Sequence, residues 1–190
     1  MRSAYSALKV IEQRNATVAA NDWAVNEQES ARSLAFLIDQ IGRQVYFASG
    51  AQEGKRQNLI DEDGPYSRAR IDRFYRETHP ILEYLAEVGL PSLTHQLLET
   101  LEFFIPLDPA GVFICIGRVV RAGRQSGYQY ESLAADLIVQ LVERYLAEYR
   151  PLFREDEDCR RTLIEILDIF VQAGWPAARR LTYRLDEIFR

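Results

Sequence analysis

The chain has 190 residues, 47% apolar and 27% charged, a balance that suits one sizeable core or a row of stacked repeats. Its net charge of −5 argues against a general nucleic-acid binder, which is usually basic. Its two cysteines, Cys115 and Cys159, cannot staple a secreted domain, and no stretch reaches the roughly 20 apolar residues of a membrane span.

The first segment, about 3–20, places Ala4, Leu8, Ile11 and Val18 at weak helical spacing. It contains no apolar core of signal-peptide length. A stronger helix is predicted over 26–49, with the stripe Ala31, Leu34, Ala35, Ile38, Ile41 and Val45, ending at Gly50. Residues 51–65, with Gly54 and an Asp-Gly-Pro signal, read as a loop or linker. Residues 1–50 are therefore an N-terminal helical segment, and the rest of the organisation lies in 66–190.

Residues 66–88 form the next predicted helix, with Ile71, Phe74, Tyr75, Ile81, Leu82 and Leu85 on one side. Pro80 predicts a kink or break near His79. Pro91 opens another helix, striped by Leu93, Leu97, Leu98, Leu101 and Phe104.

The stretch 108–127, "DPAGVFICIGRVVRAGRQSG", has two readings. As a strand feeding a phosphate loop it would need GxxxxGK[ST] or a compact GxGxxG, and it has neither. As a helix it starts well, with a capping Asp108 followed by Pro109. Val112, Phe113, Ile116, Val119 and Val120 then share one helical face. Helix is favoured, although Gly117 in mid-helix costs about 1 kcal/mol relative to alanine and calls for close packing as its explanation.

A long helix follows over 129–149, carrying Leu133, Leu137, Ile138, Leu141, Val142, Tyr145, Leu146 and Tyr149, and Pro151 ends it. The acids Glu155, Asp156, Glu157 and Asp158 suit the amino end of the next helix. That helix should bury Leu163, Ile166, Leu167 and Phe170, and a last one spans 176–189.

Three segments share a local form: "EVGLPSL" (87–93), "RAGRQSG" (121–127) and "QAGWPAA" (172–178). With Gly50, the glycines fall at 50, 89, 123 and 174, spaced 39, 34 and 51 residues apart. Those spacings bracket helical-hairpin repeats. Hairpins at 66–104, 108–149 and 155–189 would bury their apolar faces by stacking. Over about 66–190 this pattern resembles the HEAT/armadillo-like superfamily of α-solenoids. The resemblance implies an all-α fold of irregular stacked hairpins; the alternative is a compact helical bundle.

Lysine occurs only at Lys9 and Lys55, so arginine supplies 21 of the 23 basic residues. The skew fits a GC-rich bacterial genome, but three arginine rows also stand out: Arg70, Arg73 and Arg76; Arg118, Arg121 and Arg124; Arg179, Arg180 and Arg184. Aligned in a solenoid they would form a basic groove for nucleic acid; paired with nearby acids such as Glu77 they are solvated faces. Tyr128, Tyr130 and Trp175 are candidate interface aromatics.

The only histidines, His79 and His95, flank a hairpin turn and are the seed of a possible enzyme site. There is no CxxC, HExxH or nucleophile–base spacing. No cofactor, metal or catalytic residue is assigned. The expected function is a non-catalytic protein-binding or scaffold module, cytoplasmic and not membrane-bound, with a protein partner or self-association. A nucleic-acid-binding repeat is the alternative, and a helical enzyme the second alternative.

Overall fold

The structure, a computed structural model, describes residues 23–52, 67–125 and 132–182. Residues 3–20, most of the 51–65 segment, Tyr128, Tyr130 and Arg184 lie outside the described residues. The described residues form eight helices and no strand, so the fold is all-α as expected. They are α1 (Trp23–Ser49), α2 (Arg68–Val88), α3 (Pro91–Phe104), α4 (Pro109–Gln125), α5 (Ser132–Glu148), α6 (Leu152–Glu155), α7 (Glu157–Gln172) and α8 (Pro176–Thr182).

The helices pack in two rows. In the first, α4 lies between α2 and α7. In the second, α3 lies between α1 and α5, while α8 packs on α7. Side-chain contacts set the direction of the first row. Tyr75, Glu83 and Gly89 of α2 and its C-cap meet Asp108, Arg118 and Ala122 in the same order. Ala110, Gly117 and Arg121 of α4 meet Cys159, Thr162 and Glu165, again in order. The three helices therefore run parallel, as they must if each is separated from the next by a returning helix.

The apolar stripes read from the sequence are the faces that close this core. Val112, Phe113, Ile116, Val119 and Val120 of α4 are all buried, as are Leu93, Leu97, Leu98, Leu101 and Phe104 of α3. The short α6 was not anticipated. It follows Pro151 and inserts Phe153, fully buried, against Phe113 at 5.0 Å between ring centroids. Residues 155–158 divide accordingly: Glu155 closes α6, Asp156 caps α7, and Glu157 and Asp158 occupy its first turn.

Three local expectations change. Helix α2 runs through Pro80 without a break. Ile71, Tyr75 and Thr78 before the proline and Ile81, Leu82 and Leu85 after it are all buried, so packing on both sides outweighs the roughly 3 kcal/mol penalty of an interior proline. Gly123 is not a turn residue, because α4 continues to Gln125 and only Gly50, Gly89 and Gly174 have positive φ among the described residues. Ala31 is exposed instead of joining the buried stripe of α1, and Ala51, expected in a loop, is helical and buried.

The "AGWP" segment is a helix-ending turn built around Gly174 at φ 84°. Trp175 N–H donates to the Phe170 carbonyl at 3.0 Å, and Gly174 N–H to the Val171 carbonyl at 3.0 Å. This pair of bonds satisfies two carbonyls left open at the end of α7. The rings of Trp175 and Phe170 meet edge-on at 6.1 Å, so Trp175 serves the core boundary.

Candidate functional site

Asp108 joins α2 to α4. Its Oδ1 accepts from Gly111 N–H at 2.9 Å, which caps α4, and its Oδ2 accepts from the Tyr75 hydroxyl at 2.9 Å. Beside it the Tyr145 hydroxyl donates to the Pro109 carbonyl at 2.8 Å, and the Cys159 thiol lies 3.8 Å from the Ala110 carbonyl. Burial raises the pKa of both tyrosine hydroxyls and pushes both thiols, Cys115 and Cys159, up to about 12. These groups stay protonated at neutral pH and act as structural donors; a reactive thiol would need the opposite shift.

Gly117 now has a physical explanation. A Cβ at this position would stand 2.3 Å from Thr162 Cγ2 of α7. The glycine lets α4 and α7 approach closely, which the sequence indicated without naming the partner helix.

The arginine rows are placed differently from one another. Arg118 Nη1 donates to Glu83 Oε1 at 2.7 Å and lies 3.6 Å from Glu87, tying α4 to α2. Arg121 makes a two-pronged pair with Glu165 at 2.8 and 2.5 Å, tying α4 to α7. That hydrogen bonding holds the Glu165 carboxyl below its ordinary range and raises the Arg121 guanidinium. Arg73 pairs with Glu77 at 3.0 Å and Arg76 with Asp72, each within α2. Arg70, Arg124, Arg179 and Arg180 are exposed.

The parallel register separates the first two rows. Arg118 sits beside Glu83, whereas Arg73 lies about ten residues earlier in α2, roughly 15 Å along the helix. Arg179 and Arg180 lie on α8, outside the α2–α4–α7 row.

Each histidine faces a glutamate of its own helix: His79 lies 3.7 Å from Glu83, and His95 3.8 Å from Glu99. His79 also meets the Tyr75 ring edge-on at 5.3 Å. Among the described residues no group of three or more His, Cys, Asp or Glu side chains is placed to hold a metal ion. Within the same residues no helix is long and apolar enough to cross a membrane.

The exposed face of α1 is the surface that sequence reading did not single out. Phe36 is 63% exposed, Phe47 56% and Leu37 43%. Elsewhere among the described residues the large exposed apolar side chain is Ile164 of α7. The opposite face of α1 supplies Ile38 and Val45 to the core and brings Gly42 against Leu93 of α3. The signal was present as Phe36 and Phe47 lying off the buried stripe, but periodicity scoring rewards the stripe and ignores what lies opposite. No family model, curated protein or solved structure matches this chain significantly.

Proposed function

We propose that this chain is a non-catalytic helical-repeat module of the HEAT/armadillo-like kind, which binds protein and works as a scaffold in a bacterial cytoplasm. The observation that carries the proposal is the aromatic stripe on α1. Phe36, Leu37 and Phe47 stand exposed on a helix whose other face is packed. Exposed aromatic clusters mark interaction surfaces, since single scattered apolar residues need no explanation but a row of them does. The two-row packing supports the repeat reading, because the helices pack chiefly on their neighbours within a row and on the adjacent helix of the other row.

Nucleic-acid binding along the arginine rows is the weaker reading. Arg118 and Arg121 already face Glu83, Glu87 and Glu165, and a phosphate backbone would have to displace those carboxylates. The test is affinity capture with the tagged full chain from nuclease-treated lysate of the source organism, run beside a Phe36→Glu, Phe47→Glu variant. The expected result is protein retained by the wild type and lost by the variant. Retention of RNA or DNA that weakens steeply with salt, with no protein lost in the variant, would overturn the proposal.

A further inference from the structure

We infer that the occupant of the α1 face is a second copy of this chain, with the two α1 helices antiparallel across a two-fold axis. The inference rests on the protein-binding reading above and names its partner. Phe36 and Phe47 are eleven residues apart, three turns of helix, so they lie within about 20° of one line and roughly 16 Å apart. An antiparallel copy centred between them brings Phe36 of each chain onto Phe47 of the other. A surface that meets itself in this way is self-complementary, as a two-fold interface requires.

The polar residues along the stripe fit the same register. Gln40, Arg43 and Gln44 are exposed between the two phenylalanines. Arg43 is already paired with Asp39 of its own helix at 2.7 Å. The antiparallel register sets Arg43 opposite Gln40 and Asp39 opposite Gln44, so no like charges meet. A parallel pairing would set Phe36 on Phe36 and Phe47 on Phe47 just as well, but it would also set Arg43 against Arg43, a like-charge penalty that the antiparallel register avoids.

Area supports the arrangement. A buried phenylalanine covers roughly 150–250 Å². The exposed parts of Phe36, Leu37 and Phe47 from two copies therefore supply on the order of half the ~1,200 Å² that a stable complex buries. Gln40, Arg43 and Gln44, exposed between the two phenylalanines, add to this area. The outer faces of the other row are charged: Arg73, Arg76 and Glu77 on α2, and Glu157, Asp158 and Arg161 on α7. Among the described residues the large exposed apolar side chains other than Ile164 of α7 all lie on α1.

Sedimentation velocity of the purified full chain over a range of micromolar concentrations tests the inference. The expected result is a dimer for the wild type and a monomer for Phe36→Glu, Phe47→Glu, with the same helical circular dichroism and a cooperative urea transition in both. A second measurement reads the register. Phe36→Cys and Phe47→Cys single variants, mixed under mild oxidation, should form disulfide dimers with each other in preference to either with itself. Cys115 and Cys159 are buried and do not compete.

A monomeric wild type overturns the inference, and so does a dimer that persists in the double-glutamate variant or is lost only when residues 1–22 are deleted. Preferential 36-to-36 or 47-to-47 cross-linking overturns the antiparallel register. A monomeric wild type that still captures a different protein through α1 sinks self-association alone and leaves the protein-binding proposal standing.

Discussion

Helices α4 and α1 are both amphipathic, yet they occupy opposite situations. Helix α4 is held from both sides of its row, by α2 through Asp108 and Arg118 and by α7 through Gly117 and Arg121. Helix α1 is held by α3 and α2 on its inner side and exposes two phenylalanines on the other. The difference shows how one row of helices can be closed by specific polar contacts and close backbone approach while the edge of the other stays available.

The sharpest test of this contrast compares two phenylalanines. Phe113 is fully buried, 4.6 Å from the Tyr145 ring and 5.0 Å from Phe153. Phe113→Ala should cost about 3–5 kcal/mol in urea unfolding. Phe36→Ala, measured on the monomer, should stay within about 0.5 kcal/mol. Equal costs would mean that α1 is not an open edge.

Next in size is the contrast between two caps. Asp108 serves both Gly111 N–H and the Tyr75 hydroxyl, whereas Asp156 caps α7 by accepting from Cys159 N–H at 2.9 Å. Asp108→Ala should cost about 2–3 kcal/mol, because it also strands a buried hydroxyl, and Asp156→Ala about 1 kcal/mol. Thermal unfolding of the two variants decides it; equal losses would remove Tyr75 from the row contact.

Gly117→Ala should be destabilising by about 1–2 kcal/mol, overpacking against Thr162 outweighing the gain in helix propensity. With Thr162→Ser already in place the same change should become neutral or stabilising, since the clashing methyl is gone and the next Thr162 atom, its Cβ, is at 3.5 Å. A double-mutant cycle reads this sign change directly. Additive effects would show that α4 and α7 do not meet at these two residues.

The smallest expected effect is electrostatic. Glu165 is held below its ordinary range by Arg121, so the pair stabilises the fold above the unfolded carboxyl value. That contribution is lost as pH falls through the lowered folded value. Both side chains are partly exposed, so the effect should be only about 0.5 kcal/mol. Comparing wild type with Glu165→Gln from neutral pH into the acid range at low salt checks it; a difference that survives high salt would argue for burial instead.

Much of the fold was legible because burial follows helical periodicity. The stripes of α3, α4 and α7 are the observed core, and Asp108–Pro109 marks a real helix start. Two kinds of feature were hidden. Phe153 sits in a four-residue helix too short to show any period. Phe36 and Phe47 sit opposite a good stripe, where pattern matching expects polar residues. Arg73 and Arg76 find partners four residues away, but those of Arg118 and Arg121 lie 35 and 44 residues away, beyond any local signal.

An all-α chain, most of the core face of each long helix and three of the four expected turn glycines, 50, 89 and 174, follow from local sequence, because these depend on residues within one or two helical turns. Packing between helices sets the parallel run of α2, α4 and α7, the meeting of Gly117 with Thr162, the unbroken passage through Pro80 and the apolar edge of α1. Those outcomes depend on which helices become neighbours, and neighbour choice is a property of packing across the whole chain rather than of any single helix.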